Sequence, residues 1–107
     1  MKDFISTTVT TDLGQEDIFS IVNRSLPSFL WRMGDSDSQG LYISGHGENT
    51  EQMQLWLDND LVDVTISLRN ARGSDISRDE WKNKLVNKII NEVLPTIGKV
   101  GEISQTD

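Results

Sequence analysis

Residues 51–68 form the stretch EQMQLWLDNDLVDVTISL, which decides the fold. In its second half every other residue is apolar, from Val62 to Leu68. The residues between them are polar: Asp63, Thr65 and Ser67. A period of two is typical of a β-strand with one buried and one solvated face. We therefore predict a strand over residues 61–68.

The first half of the same stretch alternates in the same way, which predicts a strand over residues 51–57. One face would carry Met53, Leu55 and Leu57, and the other Gln52, Gln54 and Trp56. Asp58, Asn59 and Asp60 lie between the two strands and are typical turn residues. The stretch as a whole predicts an antiparallel hairpin.

Two further strands are predicted upstream. Residues 28–33 place Phe29, Trp31 and Met33 on one face, and residues 41–44 form the next strand. A polar turn over 34–40 would connect them, and Gly45-His46-Gly47 would end the second. The four strands predict a meander with one apolar face and one wet face.

Two amphipathic helices are predicted on either side of the meander. The first covers residues 13–25, with Asp12 and Gln15 as a capping box and Pro27 as its stop. The second begins near residue 77 and ends or kinks at Pro95. Its apolar stripe consists of Trp81, Leu85, Val86, Ile89, Ile90, Val93 and Ile97, with Lys82, Lys84, Lys88 and Glu92 beside or opposite it.

With a β-branched strand over residues 3–11, the element order becomes β-α-β-β-β-β-α. An antiparallel sheet with one apolar face needs a cover, and two amphipathic helices supply it. The predicted fold is an α+β two-layer sandwich with a four- to five-stranded antiparallel sheet and both helices on one face. We expect a single domain over residues 1–103 and a disordered tail over 104–107, with Ile103 tucked back against the domain.

Composition narrows the classes of function. The chain has 107 residues and no cysteine, so it holds no disulfide, thiol nucleophile or thiolate metal site. Its start does not resemble a signal peptide, and no stretch approaches the roughly 18 apolar residues of a membrane-spanning helix. We expect a cytoplasmic protein, as the lack of cysteine fits a reducing compartment.

The negative charge is confined to one block. Between Arg32 and Arg69 there are seven acids and no base, whereas the rest of the chain holds ten of each, so the formal net charge of −7 belongs to this block. A single-sign field of this kind attracts basic partners and repels anions. It argues against direct binding of nucleic-acid phosphates and against docking on anionic membranes.

Residues that suggest catalysis or metal binding lack the rest of a site. The segment from Asp35 to Gly40 resembles the first half of a calcium loop, but Gln39 stands at the fifth position and His46 at the twelfth, where a bidentate glutamate belongs. His46 is the only histidine, and no nucleophile motif accompanies it. The sequence predicts no catalytic residue, no metal ligand and no cofactor, and hence no enzyme.

The leading hypothesis is a non-enzymatic domain that binds a basic protein partner, either as a monomer or as a homodimer. Stoichiometric inhibitors have this character: immunity proteins, or anti-defence proteins that mimic nucleic acid. If Met53, Leu55 and Leu57 are inside, Trp56 would anchor the partner, because an outward tryptophan among carboxylates resembles an interface hot spot. The alternative is that Trp56 covers the sheet edge or packs beneath the tail. The charged contacts would come from Asp35, Asp37, Glu51, Asp58, Asp60 and Asp63.

Two alternatives remain open at this point. The first is an accessory or chaperone-like domain that self-associates through its sheet and binds peptide. The second is a small metal- or ligand-dependent enzyme that uses His46 with Asp35 and Asp37.

Overall fold

The computed structural model describes residues 3–38, 40–68 and 75–106. It is an α+β fold in which an antiparallel sheet is covered by helices, as the sequence predicts. The elements are β1 Phe4–Thr10, α1 Gln15–Ser25, β2 Leu30–Ser36, β3 Gly40–His46, β4 Gln52–Asp58, β5 Leu61–Ser67, α2 Asp75–Lys88, a π-helical segment Ile89–Val93, α3 Leu94–Ile97, β6 Lys99–Val100 and β7 Ser104–Thr106.

The sheet has the strand order β2-β3-β4-β5-β1, and the short strands β6 and β7 both pair with β1. Strands β2 to β5 form the predicted meander, with each strand antiparallel to the next. The register is continuous across it: Met33 lies opposite Ile43, and Ile43 lies opposite Leu55. Leu55 in turn lies opposite Val64. This register determines which side chains share a face.

One face of the sheet, here called the inner face, forms the core. It carries Ile5, Val9, Ile43, Met53, Leu55, Val62, Val64 and Ile66, all buried. Buried residues of both helical regions complete the same core: Ile18 and Val22 from α1, and Val86, Ile89, Val93, Leu94 and Ile97 from the last helical region. The helices therefore cover one face and leave the other, the outer face, open.

The β2–β3 hairpin is longer than predicted. The turn predicted over 34–40 is wrong at both ends, because β2 continues to Ser36 and β3 begins at Gly40, which has a positive φ of 83°. The predicted turn Gly45-His46-Gly47 is also wrong at its start, because Gly45 and His46 belong to β3. A glycine is needed there since a Cβ on Gly45 would lie 2.4 Å from the Trp31 ring. Trp31 stacks on Phe29 and donates a hydrogen bond from Nε1 to the Leu26 carbonyl.

The predicted capping box of α1 is wrong. The N-cap is Gly14, which makes no side-chain cap hydrogen bond. The Gln15 amide instead donates to two carbonyl oxygens of the hairpin, those of Gly34 and Tyr42, each at 2.9 Å. Gln15 therefore ties the start of α1 to the strands that carry the outer-face aromatic residues described below.

The last helical region begins at Asp75 and continues through Pro95 to Ile97. The π-helical segment makes this possible, because the Leu94 N–H donates to the Ile89 carbonyl five residues back. Lys82 was expected beside or opposite the stripe, but it is buried, and its Nζ contacts Asp3 Oδ1 at 2.8 Å. The long aliphatic stem of a lysine packs well at such a boundary.

The end of the chain is more regular than expected. Residues 104–107 were predicted to be a disordered tail, but Ser104–Thr106 pairs with β1 opposite Phe4, Ile5 and Ser6. Ile103 is exposed and is not tucked back. Thr7 Oγ1 donates to the Glu102 carbonyl at 2.9 Å, which holds this segment beside β1.

Thr11 is a buried link between β1 and the last helical region. Its Oγ1 donates to the Ile97 carbonyl at 2.6 Å and accepts the Leu13 N–H at 3.0 Å. We predict that Thr11→Val lowers the free energy of unfolding by about 1–3 kcal/mol, because two buried polar groups lose their partner. Thr10→Val, at the exposed neighbouring position, should change it by less than about 0.5 kcal/mol. Urea denaturation measures both, and equal effects would contradict the assignment.

Candidate functional site

Trp56 lies at the centre of the outer face. It pairs with Tyr42 on one side and with Asp63 on the other. Residues directly opposite on antiparallel strands point to the same face, so these three side chains form one row across β3, β4 and β5. Trp56 thus lies on the face opposite to that of Met53 and Leu55, and its side chain is half-buried.

Tyr42 and Trp56 form an aromatic pair. Their ring centroids are 5.4 Å apart and the ring planes are inclined by 49°. Gly34 on β2 makes room for the tyrosine, because a Cβ at that position would lie 2.7 Å from the Tyr42 hydroxyl. Pairs with this separation contribute about 0.5–1.5 kcal/mol beyond the area they bury. The pair is therefore a pre-formed apolar platform on a solvated face.

A shallow hollow of about 390 Å³ adjoins this platform. Its polar lining includes Arg32, Asp35, Ser44 and Gln54, and Tyr42 and Trp56 form its aromatic side. Arg32 is exposed and is the last base before the acidic block. Tryptophan, tyrosine and arginine are the residues most enriched at energetic hot spots of protein interfaces. The hollow brings one of each together.

Five of the seven acids of the block lie on the outer face or at one end of the sheet. Strands β2 and β4 run in the same direction, so the turn after each of them is at the same end. Neighbouring strands are about 4.8 Å apart, which puts the two turns roughly 10 Å from each other. We call these five residues the acidic rim: Asp35, Asp37, Asp58, Asp60 and Asp63.

All five carboxylates of the acidic rim are exposed. Asp58 Oδ1 accepts a hydrogen bond from the Asn59 side chain at 3.2 Å. Within residues 3–38, 40–68 and 75–106, none of the five forms an ion pair; the ion pair found there joins Lys82 to Asp3. The negative charge of the rim is therefore not neutralised by bases of the described chain.

The other two acids of the block do not belong to the rim. Glu48 is exposed but lies in the β3–β4 turn, at the opposite end of the sheet. Glu51 was predicted as a partner contact, and this is wrong because it is buried. Its Oε1 accepts the Asn49 N–H at 2.7 Å, so the carboxylate holds the turn together. The sequence does not distinguish the exposed glutamate from the buried one, because both follow Gly47 within the same turn.

His46 lies far from Asp35, one of the two carboxylates of the enzyme alternative. His46 is at one end of β3, and Asp35 pairs with Leu41 five residues away toward the other end. At about 3.3 Å per residue this is roughly 17 Å. In the described part of the chain no group of three or more histidine, aspartate or glutamate side chains is arranged to hold a metal ion.

Comparisons with known proteins do not identify this site. No protein-family model matches the chain, and a search of curated proteins found no similar sequence. Among the helices of the described residues, none is both long and apolar enough to cross a membrane.

Sequence analysis missed Arg32, Tyr42 and Gly34 as parts of this site. Tyr42 had a usable signal, since it alternates with Leu41 and Ile43 in a predicted strand and its face follows from that of its neighbours. Its distance to Trp56 depends on the pairing of β3 with β4, which a single strand does not encode.

Glu48 and Glu51 together provide a test of the structural role of the Glu51 carboxylate. We predict that Glu51→Ala lowers the free energy of unfolding by about 1–3 kcal/mol, because the N–H of Asn49 loses its acceptor. Glu48→Ala, in the same turn but exposed, should change it by less than about 0.5 kcal/mol. Thermal and urea unfolding measure both variants, and a Glu51→Ala protein as stable as Glu48→Ala would refute the structural role.

Proposed function

We propose that this chain is a non-enzymatic protein-binding domain that engages a basic protein surface through its outer face and acidic rim. The observation that carries the proposal is the position of Trp56: half-buried on the open face, beside Tyr42 and opposite the exposed Asp63. A rigid aromatic anchor bordered by exposed carboxylates, which form no ion pair with the described residues, is complementary to a surface that presents lysine and arginine.

The physical roles of the two parts differ. Rim charges mainly raise the rate of association and select the sign of the partner, because complementary fields steer the encounter. Exposed charges are screened beyond about 8 Å at physiological salt, so this contribution weakens as salt rises. The aromatic platform supplies contact area that is insensitive to salt, and it slows dissociation.

This arrangement suits a stoichiometric inhibitor that occupies a cationic cleft. An immunity protein for a toxin and an anti-defence protein that mimics nucleic acid are both of this kind. The acidic rim would repel nucleic acid itself, so binding is to a nucleic-acid-binding protein or another basic partner. A cytoplasmic location and the absence of a cofactor are parts of the same proposal.

The test of the acidic rim is charge reversal. We expect the variant with Asp58→Lys, Asp60→Lys and Asp63→Lys to lose about tenfold or more in affinity for the basic partner at low salt. The partner is first isolated by capture on the wild-type protein and elution with salt. Affinity is then measured by surface plasmon resonance over a series of salt concentrations, and the slope of affinity against salt should fall in the variant.

The matched control reverses three exposed acids elsewhere: Glu48→Lys, Asp79→Lys and Glu80→Lys. It changes the net charge by the same amount, so it separates the acidic rim from overall charge. We expect its affinity to stay within about threefold of wild type. Equal losses in the two triple variants would mean that net charge alone drives binding, and unchanged affinity in the rim variant would rule out the proposal.

Trp56 provides a second, independent test. Trp56→Ala should weaken binding of the same partner by at least about 2 kcal/mol, close to thirtyfold, because a hot-spot anchor is removed. Leu61→Ala removes an exposed apolar side chain from the same face and should have little effect. Both variants should fold, which circular dichroism checks. Binding that tolerates Trp56→Ala as well as it tolerates Leu61→Ala would show that the aromatic platform is not the anchor.

A further inference from the structure

Ser44 carries a buried hydroxyl on the outer face of the sheet. It lies on β3 between Arg32 of β2 and Gln54 of β4, which are its partners in the strand register. The residue is only 6% exposed, although the helices cover the other face. Ser44 also lines the hollow beside Trp56. A short side chain that is nearly buried and lines a hollow forms part of its floor.

The Ser44 hydroxyl lacks a hydrogen-bond partner among residues 3–38, 40–68 and 75–106. The other buried hydroxyl groups of these residues behave differently, because those of Thr7 and Thr11 both donate to backbone carbonyl oxygens. Native structures normally satisfy a buried polar group with another residue, a water molecule or a ligand. A buried hydroxyl that remains without a partner at the floor of a hollow indicates a ligand-binding site.

Three longer side chains of the hollow are also available for binding. Within the part of the chain that the structure describes, no hydrogen bond or ion pair engages the Arg32 guanidinium, the Gln54 amide or Trp56 Nε1. Guanidinium and indole N–H groups can only donate, and the serine hydroxyl and the glutamine amide can both donate. The lining therefore offers mainly hydrogen-bond donors, and a complementary ligand must supply acceptors.

The charge of the hollow is set by Arg32. Asp35 also borders the hollow, but it pairs with Leu41, whereas Arg32 pairs with Ser44 on the outer face. Successive side chains of a strand alternate between the two faces, so residues 32 and 35 point to opposite sides. A guanidinium surrounded by neutral donors is complementary to a carboxylate, which accepts through both of its oxygen atoms.

We propose that this hollow receives the side-chain carboxylate of an aspartate or glutamate of the basic partner. The carboxylate accepts hydrogen bonds from the Arg32 guanidinium and the Ser44 hydroxyl. The aliphatic part of the same side chain packs against the platform of Tyr42 and Trp56. The inference rests on the proposed function for the source of the carboxylate. It describes a partner surface that is basic overall and carries one acid opposite Arg32.

Arg32 is therefore a specificity-determining residue. The acidic rim attracts basic proteins in general, because its field depends only on the sign of the charge. Arg32 selects among them, since a surface that places lysine or arginine over the hollow would meet a like charge. A surface with a carboxylate at that point would instead form a charge-assisted hydrogen bond.

The sign of the effect at Arg32 is the first test. Arg32→Gln makes the chain one charge more negative, so long-range attraction alone predicts tighter binding of the basic partner. The carboxylate site predicts the opposite, a loss of about tenfold or more in affinity. Surface plasmon resonance with the captured partner measures the change.

Arg24→Gln is the matched control, because Arg24 is an exposed arginine on α1, away from the outer face. It changes the net charge equally and should bind at least as tightly as the wild type. Unchanged or tighter binding by Arg32→Gln would overturn the inference and leave the proposed function intact. Equal losses in the two variants would overturn it as well.

Ser44→Ala tests the hollow without a change in charge. It removes a hydroxyl that has no partner within the described residues, so the midpoint of urea denaturation should not fall. Affinity for the partner should fall by about threefold or more. Ser6→Ala, in the same row of the outer face but on β1, should change neither quantity. A Ser44→Ala variant that loses stability but keeps its affinity would contradict the inference.

The last test needs no partner. Isotope-labelled protein is titrated with a glutamate capped at both backbone ends, and the equally capped glutamine is the neutral control. NMR should show saturable shifts of Trp56 Nε1–H and Arg32 Nε–H with the glutamate alone, at about millimolar concentration. Arg32→Gln should abolish the Trp56 shift. No shift, or equal shifts from both probes, would overturn the inference. A failure to capture any basic protein counts against the proposed function and does not affect this titration.

Discussion

The burial of the inner sheet face beneath the helices is the constraint on which the rest of the structure depends. Each strand repeats every two residues, so once Met53 and Leu55 of β4 and Val62 and Val64 of β5 are inside, the residues that alternate with them must point outward. Trp56 is outside because its neighbours are needed inside. A shift of one residue would bury Asp63 and Trp56 and expose the aliphatic side chains, at a cost of several buried groups at about 1.5–3 kcal/mol each. The candidate site is thus held in place by the core.

The sequence predicts well the strands and helices that have a regular apolar pattern, and it predicts turns, caps and buried polar residues less well. β4, β5 and the apolar stripe of the last helical region follow directly from the pattern of residues. The errors occur where a distant contact overrides a local preference. Gly45 looks like a turn residue, but its missing Cβ makes room for the Trp31 ring and it stays in β3. Gln15 resembles part of a capping box, but it finds two carbonyl acceptors on the hairpin. Lysine is usually found on the surface, but Lys82 forms an ion pair with Asp3.

The same distinction applies to the candidate site. The sequence shows how many acids the central block contains, but their positions depend on how the meander runs. Alternate turns of a meander lie at the same end of the sheet, and this brings Asp37 and Asp58 together, although about 20 residues separate them. It also carries Glu48 to the opposite end. Glu51 is lost from the surface for a different reason, because its carboxylate accepts the partly buried N–H of Asn49 in the turn. No count of charges distinguishes a carboxylate that stabilises the fold from one that faces solvent.

The acids and the aromatic platform occupy different parts of the molecule. Asp37, Asp58 and Asp60 lie at the turn end of the sheet together with Asp35 of β2, and Asp63 is on β5. The field that would attract a basic partner is therefore strongest at this end, whereas Tyr42 and Trp56 lie on the outer face beside it. A partner steered to the turn end would then reach the platform, where the contact area does not weaken as salt rises. Salt would therefore lower the rate of association much more than it raises the rate of dissociation.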